Sequence, residues 1–213
     1  EFEALGKEID DLENEKADIE AAGMEVLSSH VGHNLNNEEL KSGNFDEALK
    51  WWAQCIDTHK RAGMKYIVNP GVNFPNTLAE ADVICKYLNK VGEMVNAAGM
   101  KFGYHNHSYE FNKVEGQVWY DYMIKHTDAD KVFYEMDVYW AVRGQVSPVE
   151  YFKKYPNRFT LLHIKDHKEF GESGMVGFDA IFNNADKAGL KHLVVELEAS
   201  NRPNILDGMK VCA

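Results

Sequence analysis

The sequence predicts an α/β fold of repeated strand–helix units, because one short phrase recurs along the chain and an apolar run follows each copy. The phrase joins Ala and Gly to Met or Leu and then to a charged residue, at residues 22–25, 62–65, 98–101 and 188–191. An amphipathic stretch precedes each copy. Gly directly after a helix adopts the left-handed conformation without a Cβ penalty. Each phrase therefore predicts the end of a helix and the start of a strand.

The apolar runs are short and continuous, which is typical of parallel strands buried on both faces. They lie at residues 26–27, 66–68, 102–104 and 193–195, and residues 132–134 and 159–162 supply two more. Phe2 is interpreted as the end of a seventh strand, and an eighth is expected before residue 1. In the intervening stretches, such as residues 49–56, 78–95 and 178–185, apolar residues recur every three or four positions, which predicts helices that cover the sheet.

Repeated units of this kind form either an open doubly wound sheet or a closed (β/α)8 barrel. No GxGxxG or Walker sequence follows any predicted strand, which weakens the dinucleotide and P-loop alternatives. A closed barrel usually has about 250 residues. The 213 residues therefore predict an α/β (β/α)8 barrel that lacks its first strand–helix unit. We expect residues 1–213 to form a single barrel domain that is truncated at both ends.

Composition excludes several classes of protein. The net charge is -11, with 34 acidic against 23 basic residues, which argues against nucleic acid or an anionic membrane as a partner. The three cysteines form no CxxC pair, so neither a zinc knuckle nor a disulfide framework is indicated. No apolar run reaches the roughly 18 residues of a membrane span. We expect a cytoplasmic location and leave an exported one open, since the sequence has no initiating Met.

Ligand-type side chains cluster directly after the predicted strands. Six of the nine histidines lie there, together with six acidic residues: His30, His33, His105, His107, His163, His167, Glu110, Glu135, Asp137, Asp166, Glu196 and Glu198. In a barrel, functional residues gather just beyond the carboxyl ends of the strands. Converging buried carboxylates are costly unless a cation neutralises them. A lone His or acid at such a place is more often structural, but the whole set predicts one divalent metal site.

The segments GYHNHSYEF, EMDVYW, LLHIKDH and VVELE resemble the sugar phosphate isomerase/epimerase group of xylose-isomerase-like TIM barrels, over nearly the whole chain. The resemblance implies one divalent metal ion held by Glu110, Asp137, His163 and Glu196. Mn²⁺ is the first choice, with Zn²⁺, Co²⁺ and Mg²⁺ as alternatives. His105 or His107 could take the place of Glu110. Glu198 competes with Glu196, because strand alternation puts both on one side.

The resemblance implies an isomerase or epimerase that acts on a keto-sugar or related polyol through an enediolate. The metal would polarise the carbonyl, while Glu110 and Glu196 on opposite faces of the substrate remove and return a proton. The expected partner is a small sugar, and a homodimer is left open. The expected substrate contacts are His30, Asn69, His105, His107, Trp140 and Lys165.

Several alternatives stay open. The ketose 3-epimerases of this group carry His and Arg where this chain has Trp140 and Glu169, which argues against close kinship with them. A metal-dependent keto-sugar or inosose lyase, dehydratase or hydratase is the second reading. A non-catalytic carbohydrate-binding barrel is the third. The endonuclease branch of the fold needs a basic face that a net charge of -11 does not offer. The glycines at 171, 174 and 177 could present amides to a phosphate, or they could simply form a loop.

Overall fold

The computed structural model describes residues 16–212, which form two compact units. Within the described residues, the first unit comprises 16–104 and 125–133, and the second comprises 105–124 and 134–212. The division falls inside two strands, so that the last residue of the third strand already belongs to the second unit.

Strands and helices alternate along the described residues. The strands are β1 (Ser28–His30), β2 (Tyr66–Asn69), β3 (Lys101–His105), β4 (Lys113–Val114), β5 (Gln117–Val118), β6 (Val132–Asp137), β7 (Leu161–Ile164) and β8 (His192–Val195). Residues 16–21 are helical. The helices that follow are α1 (Asn37–Ser42), α2 (Asp46–Ala62), α3 (Leu78–Ala97), α4 (Trp119–His126), α5 (Val138–Arg143), α6 (Pro148–Lys154), α7 (Phe178–Phe182), α8 (Ala185–Ala188) and α9 (Ile205–Cys212).

Local sequence explains several helix starts. Asn36 forms a capping box with Glu39, in which each side chain bonds the backbone N–H of the other residue. Thr77 caps α3 by accepting the N–H of Glu80 at 3.2 Å. Ser147 caps α6, and Pro148 occupies its first turn, where a missing N–H costs nothing.

In the first unit, β1, β2 and β3 run parallel, with Ser28 beside Tyr66 and Tyr66 beside Lys101. Trp52 of α2 and Tyr87 of α3 are fully buried beneath them. The indole N–H of Trp52 donates to the Tyr87 hydroxyl at 2.6 Å, and that hydroxyl donates to the carbonyl of His33 at 2.8 Å. Both buried polar groups are thus satisfied, which removes the main cost of placing them in the core.

In the second unit, β6, β7 and β8 run parallel, and every residue of β6 and β7 is buried. The ring of Tyr120 packs against Phe111, Tyr134 and Tyr151 at centroid separations of 5.0–5.6 Å. These aromatic contacts form the core on one side of the sheet. The short strands β4 and β5 form an antiparallel pair through a two-residue turn at residues 115–116, where both φ angles are positive.

The predicted helix-to-strand junctions are confirmed at all four phrases. Gly23, Gly63, Gly99 and Gly189 have φ of 75°, 80°, 88° and 80°, and a strand follows each of them. The first predicted run was misplaced by two residues, since β1 starts at Ser28 after Leu27 has accepted the N–H groups of Lys65 and Tyr66. The six predicted strands are present, whereas the β4–β5 hairpin was missed. Phe2 lies outside the described residues.

No helix within residues 16–212 is both long enough and apolar enough to cross a membrane. The three cysteines are free thiols, two of them buried and Cys55 half-buried.

Candidate functional site

Three neighbouring strands of the second unit bring ligand-type side chains together at their carboxyl ends. Register places Asp137, the last residue of β6, beside His163 of β7. Glu196 directly follows β8, and its N–H donates to the carbonyl of Ile164 at 3.1 Å. All three side chains therefore reach the same edge of the sheet, as parallel strands require.

Asp137, His163 and Glu196 offer ligand atoms that all lie within 4.8 Å of one another. Oδ2 of Asp137 is 3.4 Å from Nδ1 of His163, and Nε2 of His163 is 3.6 Å from Oε2 of Glu196. Asp137 and His163 are buried, while the Glu196 side chain is 30% exposed. The site is thus closed on one side and open toward solvent at Glu196.

The donor set fits a divalent cation. Oδ1 of Asp137 accepts the N–H of Trp140 at 2.8 Å, but Oδ2 is buried and accepts no hydrogen bond from the part of the chain that the structure describes. Burial raises the pKa of Asp137 well above its ordinary value, which is the expected response of a carboxylate in a dry site without a cation. Two carboxylates and one imidazole suit Mn²⁺ or Zn²⁺.

Lys165 contacts both of the glutamates that compete for the role of metal ligand. Its side chain is 2% exposed, and Nζ lies 2.6 Å from Oε2 of Glu196 and 2.8 Å from Oε1 of Glu198. Glu196 also approaches His163, whereas the side chain of Glu198 is 62% exposed and does not belong to either group of ligand atoms. Geometry therefore favours Glu196 over Glu198 as the ligand.

His105, Glu135 and His163 form a second, deeper group, with ligand atoms within 4.8 Å of one another. All three are buried. Nε2 of His105 lies 2.7 Å from Nδ1 of His163. The sequence placed Glu135 among the ligand-type side chains at the strand ends but gave it no specific role, although strand alternation puts Glu135 and Asp137 on the same face of β6.

Glu110 lies apart from both groups. It sits in a single 3₁₀ turn, Tyr109–Phe111, is fully buried, and accepts the N–H of His107 at 2.9 Å through Oε2. Its assignments as a metal ligand and as a proton-transfer residue stay predictions.

The other predicted substrate contacts divide between the two units. His107 and Trp140, both half-buried, belong to the second unit, where their ring centroids are 5.7 Å apart. His30 and Asn69 belong to the first unit, where they end β1 and β2 and are buried. Oδ1 of Asn69 accepts the N–H of Gly71 at 3.0 Å. The roles of these four residues stay predictions.

Asn106 supports the site in a way that the sequence did not reveal. Its side-chain oxygen accepts the N–H of Asp137 at 3.2 Å and the hydroxyl of Tyr120 at 3.1 Å. Its amide nitrogen donates to the carbonyl of Asp137 at 3.3 Å. The side chain thus pairs with the peptide groups of Asp137 as another strand would.

The glycine-containing loop before α7 is closed on itself. Oδ2 of Asp166 accepts the N–H of Gly171 at 3.0 Å and of Ser173 at 3.4 Å, and its Oδ1 accepts the N–H of His167 at 2.7 Å. Two amides that could have faced a phosphate therefore face a carboxylate. α7 itself has only five residues.

Glu169 anchors the segment that follows β8. Its carboxylate accepts the hydroxyl of Ser200 and the N–H of Asn201, the latter at 2.9 Å. The hydrogen bond from Ser200 is the main cause that lowers the pKa of Glu169. At the position where ketose 3-epimerases carry Arg, this chain thus has a structural anion.

Comparisons with known proteins identify relatives. A sugar phosphate isomerase/epimerase from Parabacteroides distasonis ATCC 8503 is 34% identical, with a TM-score of 0.85 over 94% of this chain and 73% of that one. The IOLI protein, solved with a bound zinc atom, has a TM-score of 0.67 at 15% identity, over 97% of this chain and 79% of that one. That second likeness concerns the fold alone.

An inosose dehydratase from Clostridium botulinum (strain Alaska E43 / Type E3) is 31% identical over 87 residues, which are 41% of this chain and 28% of the dehydratase. The match thus spans less than a third of that enzyme. The predicted α/β barrel class is confirmed by a family match over nearly the whole chain. Because the model of that family matches residues 4–212, the chain belongs to the xylose isomerase-like TIM barrel family.

Proposed function

We propose that this protein is a divalent-metal-dependent isomerase or epimerase of a keto-sugar or related polyol. One observation carries the proposal, namely the convergence of Asp137, His163 and Glu196 at one edge of a parallel sheet. The similarity to the Parabacteroides distasonis protein, at 34% identity, supports the same class of reaction.

The three residues would hold the ion through Oδ2 of Asp137, a ring nitrogen of His163 and a carboxylate oxygen of Glu196. When bound, a divalent ion supplies Lewis acidity that polarises a substrate carbonyl and makes the neighbouring C–H more acidic. Trp140 fixes the other oxygen of Asp137 at 2.8 Å, so that the free oxygen keeps its direction. A preset ligand loses little entropy on binding.

Glu196 is the proton acceptor in this proposal, since it is the ligand that remains partly exposed. Its carboxylate would take the proton from the carbon beside the carbonyl. Glu110, in its protonated form, would return a proton to the opposite face, which inverts the carbon and leaves the composition of the sugar unchanged. Proton exchange with solvent would then restore both carboxyl groups. The ammonium of Lys165, 2.6 Å from Glu196, would stabilise negative charge and hold a hydroxyl of the substrate.

A ring surface would bind the sugar. His107 and Trp140 lie side by side and half-exposed, and Tyr109 stacks on His107 with ring centroids 5.9 Å apart. Aromatic faces pack against the C–H face of a sugar, while the ring nitrogens bond its hydroxyl groups.

A proton-exchange assay tests the proposal. The full chain with Mn²⁺ is incubated with a panel of keto-sugars in D₂O, and deuterium at the carbon beside the carbonyl is followed by NMR. Exchange should require the metal and should be lost on addition of a chelator. Glu196→Gln should abolish exchange, whereas Glu198→Gln, the matched control, should retain most of it. Full exchange in Glu196→Gln would refute the assigned role.

A dehydratase is the second candidate, favoured by the 31% identity to the inosose dehydratase. The same proton abstraction would then be followed by loss of a hydroxyl group, so that one water leaves the substrate. Mass spectrometry of the products separates the two reactions, since an epimer keeps the substrate mass and a dehydration product does not. Sugar binding without any turnover or metal dependence would instead indicate a carbohydrate-binding barrel.

A further inference from the structure

The contact between His105 and His163 has no role in the proposed reaction. Both imidazoles are buried, at 3% and 1% exposure, and their nearest nitrogens are 2.7 Å apart. We propose that His105 is a positioning residue, which fixes the tautomer and the ring orientation of His163 and so presents Nε2 to the metal. The inference rests on the metal site of the proposed function.

The tautomer follows from which nitrogen is engaged. A neutral imidazole that binds a metal through one nitrogen carries its proton on the other, and that N–H normally has a hydrogen-bond acceptor. Nε2 of His163 faces Glu196 at 3.6 Å, while Nδ1 points at His105. The proton of His163 therefore belongs on Nδ1, and Nε2 of His105 accepts it. This leaves the proton of His105 on its own Nδ1.

Oδ2 of Asp137 lies farther from both imidazoles than they lie from each other. Nε2 of His105 and Nδ1 of His163 are each 3.4 Å from this oxygen, a distance too long for a good N–H···O bond. The contact with His163 is shorter by 0.7 Å, which is the difference between 3.4 and 2.7 Å. The lone pair of His105 is thus directed at His163, and Oδ2 of Asp137 stays available to the cation.

Glu135 completes the support. It is fully buried and offers a carboxylate oxygen within 4.8 Å of ring nitrogens of both histidines. A buried negative charge beside an imidazole makes its lone pair a stronger acceptor. We therefore interpret the deeper group as a buried carboxylate beside a pair of imidazoles, and not as a second metal site.

Two measurements test the inference on the full chain. The first is calorimetric titration with Mn²⁺ and with Zn²⁺ alone. Wild type should bind one ion. His105→Phe should bind it about 10–100-fold more weakly, as is usual when the partner of a metal-binding histidine is lost. His105→Gln, whose amide oxygen can accept the same N–H, should restore most of the affinity. The exposed His126→Gln is the matched control and should bind like wild type.

The second measurement is the tautomer of His163 in the metal-free chain, from long-range ¹H–¹⁵N NMR correlations. Wild type and His105→Gln should show the proton on Nδ1, and His105→Phe should lose this preference. A packing role alone would not change the tautomer. The wild-type spectrum needs no variant, so the test survives if His105→Phe fails to fold.

The outcomes are distinguishable. A proton on Nε2 in wild type, or equal affinity in wild type and His105→Phe, overturns the inference and leaves the metal site intact. Two ions per wild-type chain, with one lost in His105→Phe, overturn it in favour of a second metal site. If wild type binds no ion at all, the proposed function fails, and the tautomer measurement still decides whether His105 orients His163.

Discussion

His59 shows how a single buried group sets a pH dependence. Its Nδ1 is 2.6 Å from the carbonyl of Cys55 and must carry a proton, because a carbonyl only accepts. Its Nε2 therefore accepts the hydroxyl of Ser29 at 2.6 Å. The ring is 2% exposed. Both nitrogens are satisfied in the neutral form, and burial lowers the pKa of His59 because it disfavours the charged form.

The lowered pKa of His59 makes the folded state less stable in acid. In the unfolded chain the imidazole of His59 takes up a second proton below about pH 6.5, while in the folded chain it does so only at a lower pH. The free energy of unfolding should therefore decrease as pH falls from about 6.5 toward the folded pKa. His59→Gln should remove this part of the dependence. Urea denaturation at a series of pH values measures it, with His126→Gln as a control for losing an exposed imidazole. An unchanged pH profile in His59→Gln would contradict the argument.

Residue-level chemistry was only partly predictable. The ligand-type side chains that follow successive apolar runs predicted a metal site, and the family resemblance implied Asp137, His163 and Glu196 among its ligands. The pairing of Asn106 with the backbone of Asp137 was not predictable, since it depends on how one side chain crosses to the next strand. The ion pairs of Lys165 were missed for the same reason.

At the scale of elements, helix propensity and packing make opposite demands on residue 92, in the middle of α3. A Cβ atom there would lie 2.2 Å from the carbonyl oxygen of Lys131, just before β6. Ala is about 1 kcal/mol better than Gly in a helix interior. The contact with a backbone oxygen should outweigh this preference, because that atom cannot move aside cheaply.

Gly92→Ala should therefore destabilise the protein by about 1–3 kcal/mol, the usual cost of overpacking. Urea denaturation measures this. Lys86→Ala on the exposed face of the same helix should change stability by less than about 0.5 kcal/mol. A more stable Gly92→Ala variant would mean that the helix moves away from Lys131 without cost.

Elements were predicted best where a stop signal and a periodicity agree. A glycine at the end of an amphipathic stretch located β2, β3 and β8 closely, because the positive φ of that residue ends the helix. The β4–β5 pair was missed because two-residue strands carry no periodicity. The first strand was misplaced because Val26 and Leu27 are apolar but precede the ladder, which begins at Ser28.

For the whole molecule, the net charge of -11 should matter to metal binding. A negative protein attracts cations at long range, and salt screens this attraction over a Debye length of about 8 Å at physiological ionic strength. The apparent Mn²⁺ affinity should therefore fall severalfold when KCl is raised from low to physiological strength. Calorimetric titration measures this, with glycerol at equal osmolality as the control. An affinity that does not depend on salt would mean that the ion responds only to its immediate ligands.

The repeated units predicted the class of fold, and the charge balance argued against nucleic acid as a partner. They could not predict the deeper group of His105, Glu135 and His163, because it depends on which side chains of three strands lie at one depth. Which side chains lie at the same height along neighbouring strands is determined by strand register. The registers of β6, β7 and β8 arise from how the strands pair and cannot be read from composition.

The self-closed loop at Asp166 has a consequence for redesign. The carboxylate of Asp166 accepts the N–H groups of Gly171 and Ser173, so both amides already face a negative charge. The loop thus supplies the anion that its own amides bind. Shortening Asp166 to Ser or Gly would vacate that cradle without altering the glycines around it. The amides of Gly171 and Ser173 would then be able to donate to a free oxyanion. One substitution would thus turn an internal hydrogen-bonded loop into a binding site for an acidic group.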